Sequence, residues 1–313
     1  MIAPSFSFMK RAVVSVLALA GCAVLAAQPA PGQRDFPTPD AAVKALQQAV
    51  KANDRTALRS LFGPGEDQLR SGDRVQDAEN AAHFAAALTQ MCHYSHQGAD
   101  KVVLNIGAED WPFPIPLVRR NHTWYFDTDA GKQEIIDRHI GEDELAAIRL
   151  CHEYVQAQKE YASEDRDGSD VLKYAALLKS TPGKKDGLYW EPTAPDDQSP
   201  LGPLVAEART EGYEARKAGA APRPFHGYFF KILTAQGSAA PGGAYNYLVN
   251  GNLIGGFALV AYPAVWGESG IMTFVINQRG RVYQANLGPD TAARAAAMTE
   301  YNPDRSWTLV DQR

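Results

Sequence analysis

The chain has 313 residues, of which 45% are apolar, with five Trp and a formal net charge of −5. That length leaves room for two ordinary domains, and that composition excludes an intrinsically disordered chain. No long basic run or basic–aromatic interleaving occurs, which argues against a nucleic-acid partner.

The first segment reads as an export signal. Lys10 and Arg11 precede the apolar run "AVVSVLALAGCAVLAA", after which Pro, Gly and Gln appear. The run is short for a bilayer span, so residues 1–30 are set apart from the fold as a signal peptide. Within it "LAGC", Leu19 to Cys22, matches the bacterial lipobox, in which the Cys is acylated and becomes the new N-terminus. Cleavage near Ala26 or Ala27 would instead discard Cys22, and the apolar "AVLAA" after it departs from the usual polar continuation. The expected location is periplasmic or secreted, with lipidation at Cys22 as the one route to a membrane. In such an oxidising compartment Cys92 and Cys151 would be either a disulfide or two buried thiols, and spacing does not choose between them.

The next stretch, "TPDAAVKALQQAVKANDRTALRSLF", places Val43, Leu46, Val50, Leu58 and Leu61 at helical spacing behind a cap at Thr38 or Asp40. Residues 76–91 predict a third helix. Then "KVVLNIG" and "HTWYFDT" read as strands, while the prolines of "WPFPIPLV" sit at period two and suit a sheet edge. Helices followed by a small curved sheet suggest a nuclear-transport-factor-2-like α+β domain over 34–130.

Residues 131–163 carry the longest helical pattern, with a bend expected at Gly141. Ala147, Ile148, Cys151, Tyr154, Val155 and Tyr161 form one apolar stripe. A shorter helix is expected at 170–178, followed by Pro/Gly-rich connections at 180–203, 212–224 and 236–243. Strands resume at "HGYFFKILTAQ". Asn250-Gly251 supplies a type I′ turn between "AYNYLV" and "LIGGFALVAYP", and "NQRG" joins "GIMTFVI" to "RVYQANL". Residues 131–313 therefore read as a long helix packed on an antiparallel sheet, and the whole chain as α+β.

The succession "ELAAIRLCHEYVQAQKEYASEDRDG", "GYFFKIL" and "GGFALVAYPAVWGESGIMTFVINQRGRVYQANLGPDT" resembles the uncharacterised bacterial envelope family numbered 2950 among domains of unknown function. "WPFPIPLV" and "APGGAYNY" belong to the same likeness. It implies no activity or catalytic residue. More weakly, the second half resembles the globular heads of type IV pilins and pseudopilins. It lacks their membrane-spanning first helix, which argues against filament assembly.

Catalytic patterns are sparse. "GESG" at 267–270 falls one residue short of a nucleophile elbow, and "HEYVQ" has Gln156 where a zinc protease needs its second His. "CHYSH" places His93 and His96 on one face if the helix continues, with Cys92 adjacent, a pattern that suits a soft or borderline metal and also an ordinary helical turn. His139, His152 and His226 are scattered and read as surface residues. Asp127 and Asp129 follow a strand end, where acid–base groups and solvated turns both occur.

The acidic stretch "SEDRDGSD" alternates Asp165 and Asp167 around Gly168, with Asp170 three residues beyond Asp167. These carboxylates suit a structural calcium ion, although the distant bidentate Glu of a full calcium loop is missing. The same residues also suit a capped turn, with Gly168 ending one helix and Ser169 or Asp170 starting the next.

The expected function is a non-enzymatic binding or scaffold module of the cell envelope, recognising an envelope protein or small ligand through loops such as "GLYWEP" and "GGAYNYLVNG". Tyr and Trp covering the sheet ends would explain those loops equally well. The alternative is a hydrolase-type enzyme with its site in the first domain around Trp111, Trp124 and Asp127. A subunit of an envelope assembly is the third reading.

Overall fold

The computed structural model describes residues 29–69, 74–166, 168–194, 196–211 and 223–310. Residues 1–28 of the export-signal segment, Cys22 among them, and Asp167 lie outside the described residues. The fold is α+β, built around two hydrophobic cores.

The first core begins with α1 (Pro39–Lys51) and α2 (Arg55–Phe62). Thr38 and Asp54 cap them by accepting the Ala41 and Ala57 N–H groups. A 3₁₀ segment, Gly63–Leu69, and α3 (Arg74–Gln90) follow. The sheet consists of β1 (Cys92–His96), β2 (Lys101–Ile106), β3 (Trp111–Pro112), β4 (Leu117–Arg120) and β5 (Thr123–Phe126), in the order β1-β2-β4-β5 with β3 also on β2. The proline segment behaves as its spacing predicts. β3 pairs on one side only, the Phe113 N–H donates to the Leu104 carbonyl at 2.7 Å, and Phe113, Ile115 and Leu117 are buried. Phe36 extends the sheet by exchanging both backbone hydrogen bonds with Trp124, at 2.8 and 2.7 Å.

α4 (Thr128–Tyr161) runs for 34 residues, about 50 Å at 1.5 Å per residue, and passes through Gly141 as one helix. The Asp127 carboxylate caps it, accepting from the Ala130 N–H at 3.1 Å. Its first turns belong to the first core: the Thr128 hydroxyl donates to the Phe62 carbonyl at 2.7 Å, and Ile135 packs on that core. Its later turns belong to the second core through Ala147, Cys151, Tyr154, Val155, Ala157 and Tyr161. The expected boundary at residue 130 thus falls inside the first turn of a helix that both cores share.

After α4 come the parallel pair β6 (Leu177–Lys179) and β7 (Gly187–Tyr189), and then α5 (Gly202–Glu211). The strands that follow are β8 (Tyr228–Leu233), β9 (Ala235–Gln236), β10 (Tyr245–Asn246), β11 (Leu248–Val249), β12 (Asn252–Leu253), β13 (Ala258–Pro263), β14 (Met272–Asn277) and β15 (Tyr283–Asn286). α6 (Thr291–Ala297), β16 (Glu300–Tyr301) and β17 (Thr308–Leu309) complete the described chain. The main sheet is antiparallel in the order β17-β15-β14-β13-β8, with α4 across β13 and β14 and α6 on β13. Ala258 to Ala261 are all buried, as a strand covered on both faces requires. Both expected hairpins form. The Asn250-Gly251 turn has φ of 49° and 79°, the left-handed pair that a type I′ turn needs.

Three expectations are corrected. "CHYSH" is a strand, so His93 and His96, three residues apart, point to opposite faces. No helix forms at 170–178: Tyr174 bridges Leu253, the Gln158 side chain binds both the N–H and the carbonyl of Ala175, and Leu177–Lys179 is strand. Long-range pairing overrides the local helical pattern there. α4 ends at Tyr161, before Gly168. The cysteines also resolve into separate places: both are free, with Cys151 in the second core, its thiol pushed up to about 12 by burial, and Cys92 against the first core.

The two glycines of α4 make a paired test. A Cβ on Gly131 would lie 2.6 Å from Ile115 Cγ1 and 2.8 Å from Ile115 Cα, whereas one on Gly141 meets nothing within 4 Å. Alanine gains about 1 kcal/mol of helix propensity at either site, but overpacking costs roughly 1–3 kcal/mol. Gly131→Ala is expected to lower the thermal midpoint and Gly141→Ala to raise it. Two shifts of the same sign would contradict this packing.

Candidate functional site

Two concave surfaces bear on function. The smaller, about 210 Å³, opens at the start of α4 and is lined by Gln33, Tyr125, Asp127, Thr128 and Asp129 with their neighbours. This is where an acid–base site of the first domain would have to form. Asp127 has structural work there as the α4 cap, and burial, aided by Asp127, pushes the Tyr125 hydroxyl upward. The other residues of the hydrolase expectation are not brought to it. Trp124 is buried in the core, and Trp111 lies under the Arg138 guanidinium, 4.5 Å from its carbon to the ring centre.

The larger recess, about 350 Å³, lies between β7 and α5. β7 opens at Gly187, where a Cβ would come within 2.7 Å of the Lys179 carbonyl carbon and the Ser180 nitrogen, so glycine lets β7 close against β6. Trp190 is pinned by its indole N–H to Asp197 at 2.9 Å. Hydrogen bonds from Lys185, Thr193 and Trp190 hold the Asp197 carboxyl far below the usual carboxylate range. The chain returns through Leu201, whose N–H donates to the Leu188 carbonyl at 3.0 Å, and enters α5. Gly202, Val205, Ala206 and Arg209 then fall on one stripe of α5 and line the recess with Tyr189, Pro192 and Pro203.

Polar groups mark its two ends. At one, Arg209 pairs with Glu191 and donates to the Tyr189 hydroxyl at 3.0 Å, and these contacts hold the Glu191 carboxyl low. At the other, Ser199 is 3% exposed and its Oγ has no hydrogen-bond partner among the described residues. Outside the recess α5 is tied by charge. Arg149 reaches Glu207 at 3.2 Å and His226 reaches Glu211 at 3.3 Å, with burial pushing the Glu211 carboxyl upward against the His226 charge.

The family model described as "Protein of unknown function (DUF2950)" matches residues 33–310. The chain belongs to this family. No curated protein and no solved structure matches the chain. The nuclear-transport-factor-2-like and pilin-like likenesses therefore rest on sequence alone, and DUF2950 membership brings no activity with it.

The sequence offered "GLYWEP" and "GGAYNYLVNG" as recognition loops, and most of their aromatics are not on the surface. Tyr189, Trp190 and Tyr247 are buried, while Tyr245 of "GGAYNYLVNG" is exposed. Tyr189 and Pro192 of "GLYWEP" nevertheless line the larger recess. Arg209 and Ser199, the groups that give that recess its polarity, carried no sequence signal. His93 pairs with Asp110 at 3.1 Å and His139 with Asn80 at 3.3 Å. Among the described residues no cluster of three His, Cys, Asp or Glu is arranged to hold a metal ion, and no helix is long and apolar enough to cross a membrane.

The acidic stretch is a tightly wired turn. Asp165 accepts three backbone N–H groups: Gly168 at 3.0 Å and Ser169 at 3.2 Å on Oδ1, and Asp170 at 2.7 Å on Oδ2. Arg166 turns back to donate to the Glu160 and Tyr161 carbonyls, both at 3.2 Å, closing the C-terminus of α4. Asp170 is left-handed, at φ 57°. Donors already surround Asp165, so Asp165→Ala is expected to cost about 1 kcal/mol, a drop of roughly 2–4 °C in midpoint. Calcium added back after a chelator is expected to leave the wild-type melt unchanged. A calcium-dependent rise that Asp165→Ala abolishes would instead make these carboxylates metal ligands.

Proposed function

We propose that this DUF2950 protein is an exported cell-envelope binding module rather than an enzyme, and that the recess between β7 and α5 is its binding site. The observation that carries this reading is the make-up of that recess. An apolar wall of prolines, Val205 and Ala206 runs between two polar ends, the arrangement by which small-molecule sites bury a ligand and orient it. The function is argued from this site and not from fold likeness.

Export is supported by Lys10, Arg11 and the apolar run after them. The packing of α4 across the main sheet suits a rigid scaffold for such a site. Retention of Cys22 would tether it to the envelope.

Two measurements test this reading. Fractionation of cells expressing the chain is expected to place it outside the cytoplasm, with Cys22→Ser moving it from the membrane to the soluble fraction if the Cys is acylated. Cytoplasmic recovery of a full-length, unprocessed chain would refute export. A thermal-shift screen of small metabolites is expected to yield hits that Ala206→Trp, an exposed change on the α5 stripe, removes. Ester hydrolysis by the purified protein that is lost in Asp127→Asn would favour the enzyme reading.

A further inference from the structure

The larger recess also shows what kind of ligand would fit, and this inference rests on its being the binding site. Among the described residues that line it, the one charged side chain is Arg209. Arg209 is already neutralised by Glu191, which lies outside the lining. The opposite end is formed by the start of α5, a ten-residue helix, whose first turn carries the positive end of the helix dipole.

Ser199 stands at that same end. Its side-chain oxygen would lie 3.2 Å from a Cβ on Gly202, which places the hydroxyl beside the first residue of α5, and it is buried without a partner among the described residues. A buried hydroxyl left unpaired costs free energy, and rotation about its Cα–Cβ bond is the motion needed to present it to a ligand oxygen. From Gly202 to Arg209 the helix rises about 10 Å, so one small head group cannot serve both ends. Between them the wall is Pro203, Val205 and Ala206.

We propose that the recess binds a small amphiphile with one anionic head, the head seated at the start of α5 beside Ser199 and the apolar body lying along Pro203, Val205 and Ala206 towards Tyr189. The hydroxyl donates to the anion, the helix terminus stabilises its charge, and the apolar wall takes the tail out of water.

The test is calorimetric titration of the purified protein with octanoate, octan-1-ol and octylamine, which share one tail and differ in head. Octanoate is expected to bind about tenfold or more tighter than octylamine, and Ser199→Ala to weaken octanoate about tenfold while leaving octanol within about twofold. Ala206→Trp, with its melt checked against wild type, is expected to abolish binding of all three. Octylamine or octanol binding as tightly as octanoate, with Ala206→Trp still blocking, would overturn the anionic head while leaving the recess as the site. Failure of all three probes to bind, or binding untouched by Ala206→Trp, would overturn the inference together with the site on which it rests.

Discussion

The structure depends on one helix being long enough to serve two cores. α4 is fastened at its start by the Asp127 cap, by Thr128 on the Phe62 carbonyl and by Gly131 against Ile115. Ten to thirty residues on, it is fastened again. The Glu144 carboxylate accepts the Ile271 and Met272 N–H groups at 3.0 and 2.9 Å, Tyr154 donates to the Ala258 carbonyl at 3.2 Å, and Gln158 holds both sides of Ala175. Buried polar groups in such fixed pairs are costly to break singly, so the register of α4 on the main sheet is set as firmly as its register on the first core.

That fixed axis also positions the candidate site. β7 reaches the end of α4 through the Tyr161 hydroxyl, which donates to the Lys185 carbonyl at 2.6 Å, and Arg166 stacks over both Tyr161 and Trp190. The β7 side of the recess is therefore anchored to the strut. Its other wall is held differently. α5 contributes no fully buried residue and leans on ion pairs from Arg149 and His226, together with Arg209 on Glu191. A helix tied down in large part by the half-exposed Arg149–Glu207 and Arg209–Glu191 pairs opens at lower cost than one seated in a core, which suits the wall of a pocket that must admit a ligand.

What the sequence revealed follows from how local each signal was. The α4 stripe and the Asn250-Gly251 turn were legible because helical period and left-handed turn chemistry are written within a few residues. β1 was misread because "CHYSH" has no period of its own and becomes strand only by pairing with β2. The segment 170–178 was misread for the same reason, since its partners are Leu253, β7 and Gln158. α5 went unseen because a helix with no buried residue writes no apolar stripe. The recess was half visible: "GLYWEP" marked one wall, but Ser199 and Arg209 acquire meaning only when the chain folds back across β7.

Native-state hydrogen exchange along α4 tests the shared helix most directly. A single strut binding both cores predicts amides from about residue 132 to Tyr161 that open together with one high protection level, unbroken across Gly141. Two separate plateaus, or a rapidly exchanging stretch around Gly141, would show two independent helices and two uncoupled cores.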